Sequence, residues 1–144
     1  MKHPGSHFEY ETERNNDLLR AYKEAIQEAS YICVDKLYKE IVNKPSKRFW
    51  VSEERAAIVV SQLMKGRAPM NMQPLRREMF EEIHRRVVKL KKTEPQASLS
   101  ALVFKVLRQP APKFYLTPGS AKVIICKIKR AWYEKRKKHL RHLY

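Results

Sequence analysis

The chain has 144 residues, 43% of them apolar, and carries 31 Lys+Arg against 15 Asp+Glu, a formal net charge of +16. That length supports one domain, or two very small ones, around a modest core, and the apolar fraction argues against wholesale disorder. Only Gly5, Gly66 and Gly119 are glycine, so neither GxGxxG nor GxxxxGK[ST] can be written and the tight turns of a β-sandwich lack their usual residue.

Residues 1–12 mix Pro, Gly, His and Ser without periodicity and read as a disordered tail. The segment MKHPGSHFEY has no apolar stretch of signal-peptide type, and no run is long enough to span a bilayer. From about Glu13 to Asn43 the residues Leu18, Leu19, Tyr22, Ile26, Ala29, Cys33, Leu37 and Ile41 step by three or four. This spacing predicts one long amphipathic helix, or two nearly in line, ending before Pro45. Ser52 is the expected N-cap of a second helix running to about Lys65, with Glu53 and Glu54 in its first turn and Gly66 at its stop.

Pro74 opens a third helix to about Lys92, with an apolar stripe of Phe80, Ile83, Val87 and Leu90 and a basic remainder that includes Arg85 and Lys89. Pro95 falls in the break that follows. Ser98 or Ser100 caps a short helix through Leu107 or Arg108, and Pro118, after Thr117, opens a last helix to about Leu140. Arg48–Val51 and Lys113–Leu116 have the aromatic, bulky character of short strands, but the all-α assignment accounts for more of the chain.

Shifting the sequence by 65 residues aligns 37–63 with 102–128 without a gap. The identities are Leu37/Leu102, Pro45/Pro110, Phe49/Phe114 and Ala56/Ala121. Conservative pairs include Arg48/Lys113, Trp50/Tyr115, Val51/Leu116, Ser52/Thr117 and Val60/Ile125. The expected architecture is therefore two related helical units, 13–66 and 67–144, packed as one compact domain with a basic C-terminal helix. In each unit a proline ends one helix, a hydrophobe precedes the cap as a staple, and a hydroxyl caps the next.

The pattern formed by Phe49, Val51, Ser52, Ala56 and Val60, repeated by Phe114, Leu116, Thr117, Ala121 and Ile125, resembles the second half of a helix-turn-helix. Trp50 and Tyr115 stand where that family usually has glycine. The chain as a whole is similar to small basic proteins of bacteria and of phage or mobile elements. The resemblance implies recognition helices at 52–65 and 118–140 that enter a major groove by their first turns.

The charge is polarised: residues 1–43 carry −2, residues 65–92 carry +6 and residues 118–144 carry +8. Uncompensated positive charge of this kind points to a polyanion. The candidate nucleic-acid contacts are Lys122, Lys127, Lys129, Arg130, Lys135 and Lys138 in the last helix, Arg85 and Lys89 in the third, Arg55 in the second, and Arg48 and Lys113 at the connectors.

Other chemistries are poorly provided for. Cys33 and Cys126 form no CxxC pair and read as thiols of a reducing compartment, consistent with a cytoplasmic protein. His139 and His142 lack nearby carboxylates or thiols, so no metal or other cofactor is expected. Glu81 and Glu82 are adjacent and diverge on a helix, and no nucleophile elbow occurs, so the chain is not read as an enzyme. Trp50 and Tyr115 have the character of base-stacking groups but fit the core better.

The function expected is duplex DNA binding without membrane contact. RNA binding by the same face is the first alternative. The second is a helical assembly protein, with a homodimer formed through Leu18, Tyr22 and Ile26.

Overall fold

Hydroxyl side chains start three of the helices. The Ser52 hydroxyl accepts from the amide of Arg55 at 3.2 Å, Ser98 from that of Ala101 at 3.2 Å, and Thr117 from that of Ser120 at 3.1 Å. Each satisfies an amide that the helix cannot pair internally. The structure, a computed structural model, describes residues 10–67 and 71–143, so most of the expected N-terminal tail lies outside the described residues.

Six helices are described: α1 Glu11–Glu28, α2 Val34–Asn43, α3 Glu53–Met64, α4 Pro74–Thr93, α5 Leu99–Leu107 and α6 Pro118–Leu143. Among the described residues there is no strand. The only β-type pairing among them is an antiparallel bridge between Ser46 and Ala111, just ahead of the two strand-like runs. Gly66 stands just beyond α3 at φ 77°, a left-handed conformation that suits glycine at a helix stop.

The segment 13–43, expected as one long helix or two nearly in line, is two helices, and they are not in line. Ala29 turns to an extended conformation, and residues 30–33 form a loop that lets α2 fold back onto α1. Folding back buries Leu18, Ala21 and Ala25 together with Leu37 and Ile41, which a straight helix would leave strung along one open face. Polar contacts fix the hairpin: Lys44 Nζ lies 3.0 Å from Glu28, and the Arg20 guanidinium donates to the Pro45 carbonyl at 3.1 Å.

Two apolar clusters organise the chain, and each draws on both halves of the sequence. In one, α3 packs on α4 and α5, burying Phe49, Val59, Val60, Phe80, Ile83, Val87, Leu102 and Val106. In the other, α6 packs on α1 and α2, burying Leu18, Leu37, Ile41, Phe114, Ala121 and Ile125. Each fully buried large side chain contributes roughly 1.5–3 kcal/mol. Thus α6 packs on the two helices most remote from it in sequence, whereas α3 packs on the two that follow it.

The connectors between α2 and α3 and between α5 and α6 join the clusters. Ser46 and Ala111 exchange reciprocal backbone hydrogen bonds, each 3.0 Å. The Phe49 amide donates to the Leu107 carbonyl at 3.0 Å, and the Phe114 amide to the Val42 carbonyl, also at 3.0 Å. In all of these bonds the partners interchange under the 65-residue shift. The helix starts at Val34 and Leu99, and at Glu53 and Pro118, obey it too.

Candidate nucleic-acid interface

The anchor of α6 is its first half. Ala121 and Ile125 are buried and Ile124 and Ile128 half-buried against α1 and α2, which fixes the direction of the helix. From Lys129 through His142 every residue is exposed. At a rise of 1.5 Å per residue, the part beyond Trp132 is about 15 Å of helix standing clear of the core. Trp132 (53%), Tyr133 (60%) and Leu140 (49%) are exposed with it. Trp132 keeps a contact with the bundle, the Lys23 ammonium lying 5.8 Å from its ring centroid.

Nine cations belong to α6: Lys122, Lys127, Lys129, Arg130, Lys135, Arg136, Lys137, Lys138 and Arg141, against the single acid Glu134. All nine are exposed. Among the described residues, none makes an ion pair with a carboxylate, whereas several cations elsewhere do. Arg20 pairs with Asp17 and Glu24, Lys44 with Glu28, Arg85 and Arg86 with Glu82, Lys105 with Glu94, and Arg108 with Glu53. The paired acids of the chain therefore offset charge on the bundle, and the positive charge of α6 stays uncompensated. Lys129 donates to the Tyr22 hydroxyl and lies over its ring, 4.3 Å from the centroid. That hydrogen bond holds its ammonium above the usual range.

The structure divides the expected contacts. Lys122, Lys127, Lys129, Arg130, Lys135 and Lys138 share α6. Lys122 borders a shallow depression with Val34, Asp35 and Tyr38, and the others continue along the helix. Arg136, Lys137 and Arg141 share the helix with them; Arg136 and Lys137 lie inside the run Lys135–Lys138, and Arg141 stands three residues beyond it.

Arg48 and Lys113, by contrast, brace the connectors. Arg48 donates to the Phe49 and Val51 carbonyls at 3.2 and 3.3 Å and lies over the Trp50 ring at 5.2 Å. Burial, and then the nearby charge of Arg108, push its guanidinium down from its usual value. Lys113 pairs with Glu78 at 2.7 Å and lies over Tyr115 at 5.5 Å.

Arg85 and Lys89 are exposed on α4, Arg85 held by Glu82 and Lys89 in a groove with Arg86, Leu90, Thr93 and Gln109. Arg55 is exposed on α3, beside Glu53 and Glu54 in the first turn.

Trp50 and Tyr115 take core positions. Tyr115 is buried and stacks on Phe49 at 6.1 Å, and its hydroxyl is pushed up to about 12 by burial and by Glu82 and Glu78. Trp50 is half-buried, with its indole N–H donating to Asp17 Oδ2 at 3.1 Å.

Asp17, which periodicity alone did not single out, organises this region. Only 1% exposed, it accepts from Arg20 Nε at 2.9 Å, Arg20 Nη2 at 2.6 Å and the Lys47 amide at 2.8 Å in addition to Trp50. Burial opposes the charge on Arg20, but the hydrogen bonds to Asp17 and Glu24 outweigh it and raise its pKa.

Among the described residues no helix is long and apolar enough to cross a membrane. Compared with known protein families, curated proteins and solved structures, the chain matches none.

Proposed function

We propose that this protein binds double-stranded DNA, with α6 supplying the contact surface and phosphate neutralisation supplying the affinity. The observation that carries this reading is the exposure of nine α6 cations, none with a carboxylate partner among the described residues, beside a bundle whose acids pair with its own cations. Like charges held this close repel one another, and condensed phosphates relieve that repulsion while releasing counterions. Arg55, Arg85 and Lys89 are secondary contacts, each exposed but with carboxylates on the same helix. The helix-turn-helix resemblance assigns sequence readout to the first turn of α6, around Thr117, Ser120 and Lys122.

The same reading treats the chain as two copies of an α-helical hairpin plus a third helix, with the third helices exchanged. It is supported by the reciprocal Ser46–Ala111 bonds and by the bonds from Phe49 to Leu107 and from Phe114 to Val42, which map onto one another under one 65-residue shift. Fluorescence anisotropy against a duplex, a single strand and a structured RNA, at two salt concentrations, tests the function. Duplex preference with affinity falling steeply in salt is expected. Absence of binding to all three near physiological salt, or preference for the RNA in competition, overturns it.

A further inference from the structure

We infer that the exposed distal part of α6, from Lys129 onward, is the element that enters the DNA, lying lengthwise in the major groove. This inference rests on the duplex-binding reading and moves the point of entry away from the first turn of the helix.

At about 3.6 residues per turn, Ala121, Ile125 and Ile128 define the side of α6 that faces the bundle. Arg130, Lys137 and Arg141 lie opposite that side, Lys138 on one flank and Lys129, held by Tyr22, on the other, while Arg136 stands about three turns beyond Ile125. A helix resting along one strand, or on a flat anionic surface, needs a single stripe of charge. Cations on the front and both flanks fit a channel with phosphates on both rims.

The dimensions agree. A helix with its side chains is about 10–12 Å across, and the B-form major groove is about 12 Å wide. The deep, narrow major groove of A-form RNA does not admit such a rod. Lys23 of α1 still meets Trp132, so about 15 Å of helix beyond it can enter without collision. Tyr133 and Leu140, exposed between the front and the Lys129 flank, are placed to meet thymine methyl groups.

The test uses the full chain carrying Arg136→Gln, Lys137→Gln, Lys138→Gln and Arg141→Gln together, with Lys36→Gln, Lys39→Gln, Lys47→Gln and Lys65→Gln as a charge-matched control. The first set should lower the slope of log affinity against log salt by about 3.6 and weaken duplex binding roughly a thousandfold at 0.15 M salt. The control set should change both far less. The unmodified protein should also lose affinity for a duplex whose cytosines carry glucosyl groups in the major groove, and be indifferent to a saturating minor-groove ligand.

Equal effects of the two sets, or undiminished binding to the glucosylated duplex, overturn the groove assignment while leaving duplex binding intact. If the unmodified protein does not bind plain duplex at all, the functional reading fails, and this inference with it. Circular dichroism checks that each quadruple variant is folded. If the distal set unfolds the bundle, the glucosylated-duplex comparison on the unmodified protein decides the question alone.

Discussion

Replacing Asp17 by alanine tests how the bundle is locked together. The carboxylate accepts four hydrogen bonds, two from Arg20, one from the Lys47 amide and one from the Trp50 indole, and so ties α1 to the connector ahead of α3. D17A leaves the Lys47 amide and the indole N–H without their acceptor, while Arg20 keeps Glu24 at 2.9 Å and the Pro45 carbonyl at 3.1 Å. Breaking a fully buried pair costs about 3–5 kcal/mol, and a buried donor left unsatisfied about 1–3 kcal/mol. The Arg20 side chain is 31% exposed and can recover water, so the lower end applies, about 3 kcal/mol. With an unfolding entropy of about 0.3 kcal/mol/K for a chain of this length, the melting temperature should fall by about 10 °C. Urea unfolding followed by tryptophan fluorescence reads the loss, and Trp50 reports from the site itself. D17N should recover little, because its amide NH2 faces donors on one side or the other. A loss below about 0.5 kcal/mol, within the range of ordinary surface substitutions, would refute the anchoring role.

Phe49→Ala and Phe114→Ala should each cost about 3–5 kcal/mol, because the two rings fill corresponding places in different clusters; a large loss from one and almost none from the other in urea titrations would break the equivalence. For Tyr115, whose hydroxyl is raised to about 12, the folded state holds the proton more tightly than the unfolded chain, with its usual value near 10. Its contribution to stability is complete below about pH 10 and is lost as the pH rises toward 12. Wild type should therefore lose stability relative to Tyr115→Phe across that window, and a difference independent of pH in urea midpoints would count against it. Thr117→Ala removes the α6 cap and should cost about 1 kcal/mol, read by the same titration; no change would mean that the observed hydrogen bond to Ser120 contributes nothing in solution.

Local chemistry in the sequence located most helix ends. Ser52, Ser98 and Thr117 announce their helices because a hydroxyl cap acts within three residues, and Pro74 and Pro118 mark first turns in the same way. The break after Glu28 was hidden because Ile26, Ala29, Cys33 and Leu37 keep helical spacing across a loop that contains neither Gly nor Pro. The packing of α6 on α1 and α2 depends on contacts remote in sequence, which no periodicity records.

Under the 65-residue shift the last residues of α1 and α4, Glu28 and Thr93, coincide, yet only scattered side chains correspond. Leu18 and Ile83 are both buried, and Asp17 and Glu82 each pair with an arginine three residues on, but Ala21 corresponds to Arg86. Arg48 and Lys113 look like phosphate contacts from their neighbours alone; the Glu78 partner of Lys113 is 35 positions away. Asp17 did leave a trace, since it falls on the same stripe as Ala21 and Ala25, where an acid has to find partners. The α6 surface was the most legible of all, because exposed charge needs no distant partner to be recognised.

Whether α6 binds duplex DNA by neutralising phosphates is read from the salt dependence of anisotropy titrations on wild type and on the Lys127→Gln/Arg130→Gln double variant. Both residues are exposed and neither makes an ion pair with a described carboxylate, so the fold should be unaffected. Wild type should give a steep negative slope of log affinity against log salt, and the variant one shallower by about 1.8. An unchanged slope, or no duplex binding by wild type near physiological salt, would contradict it.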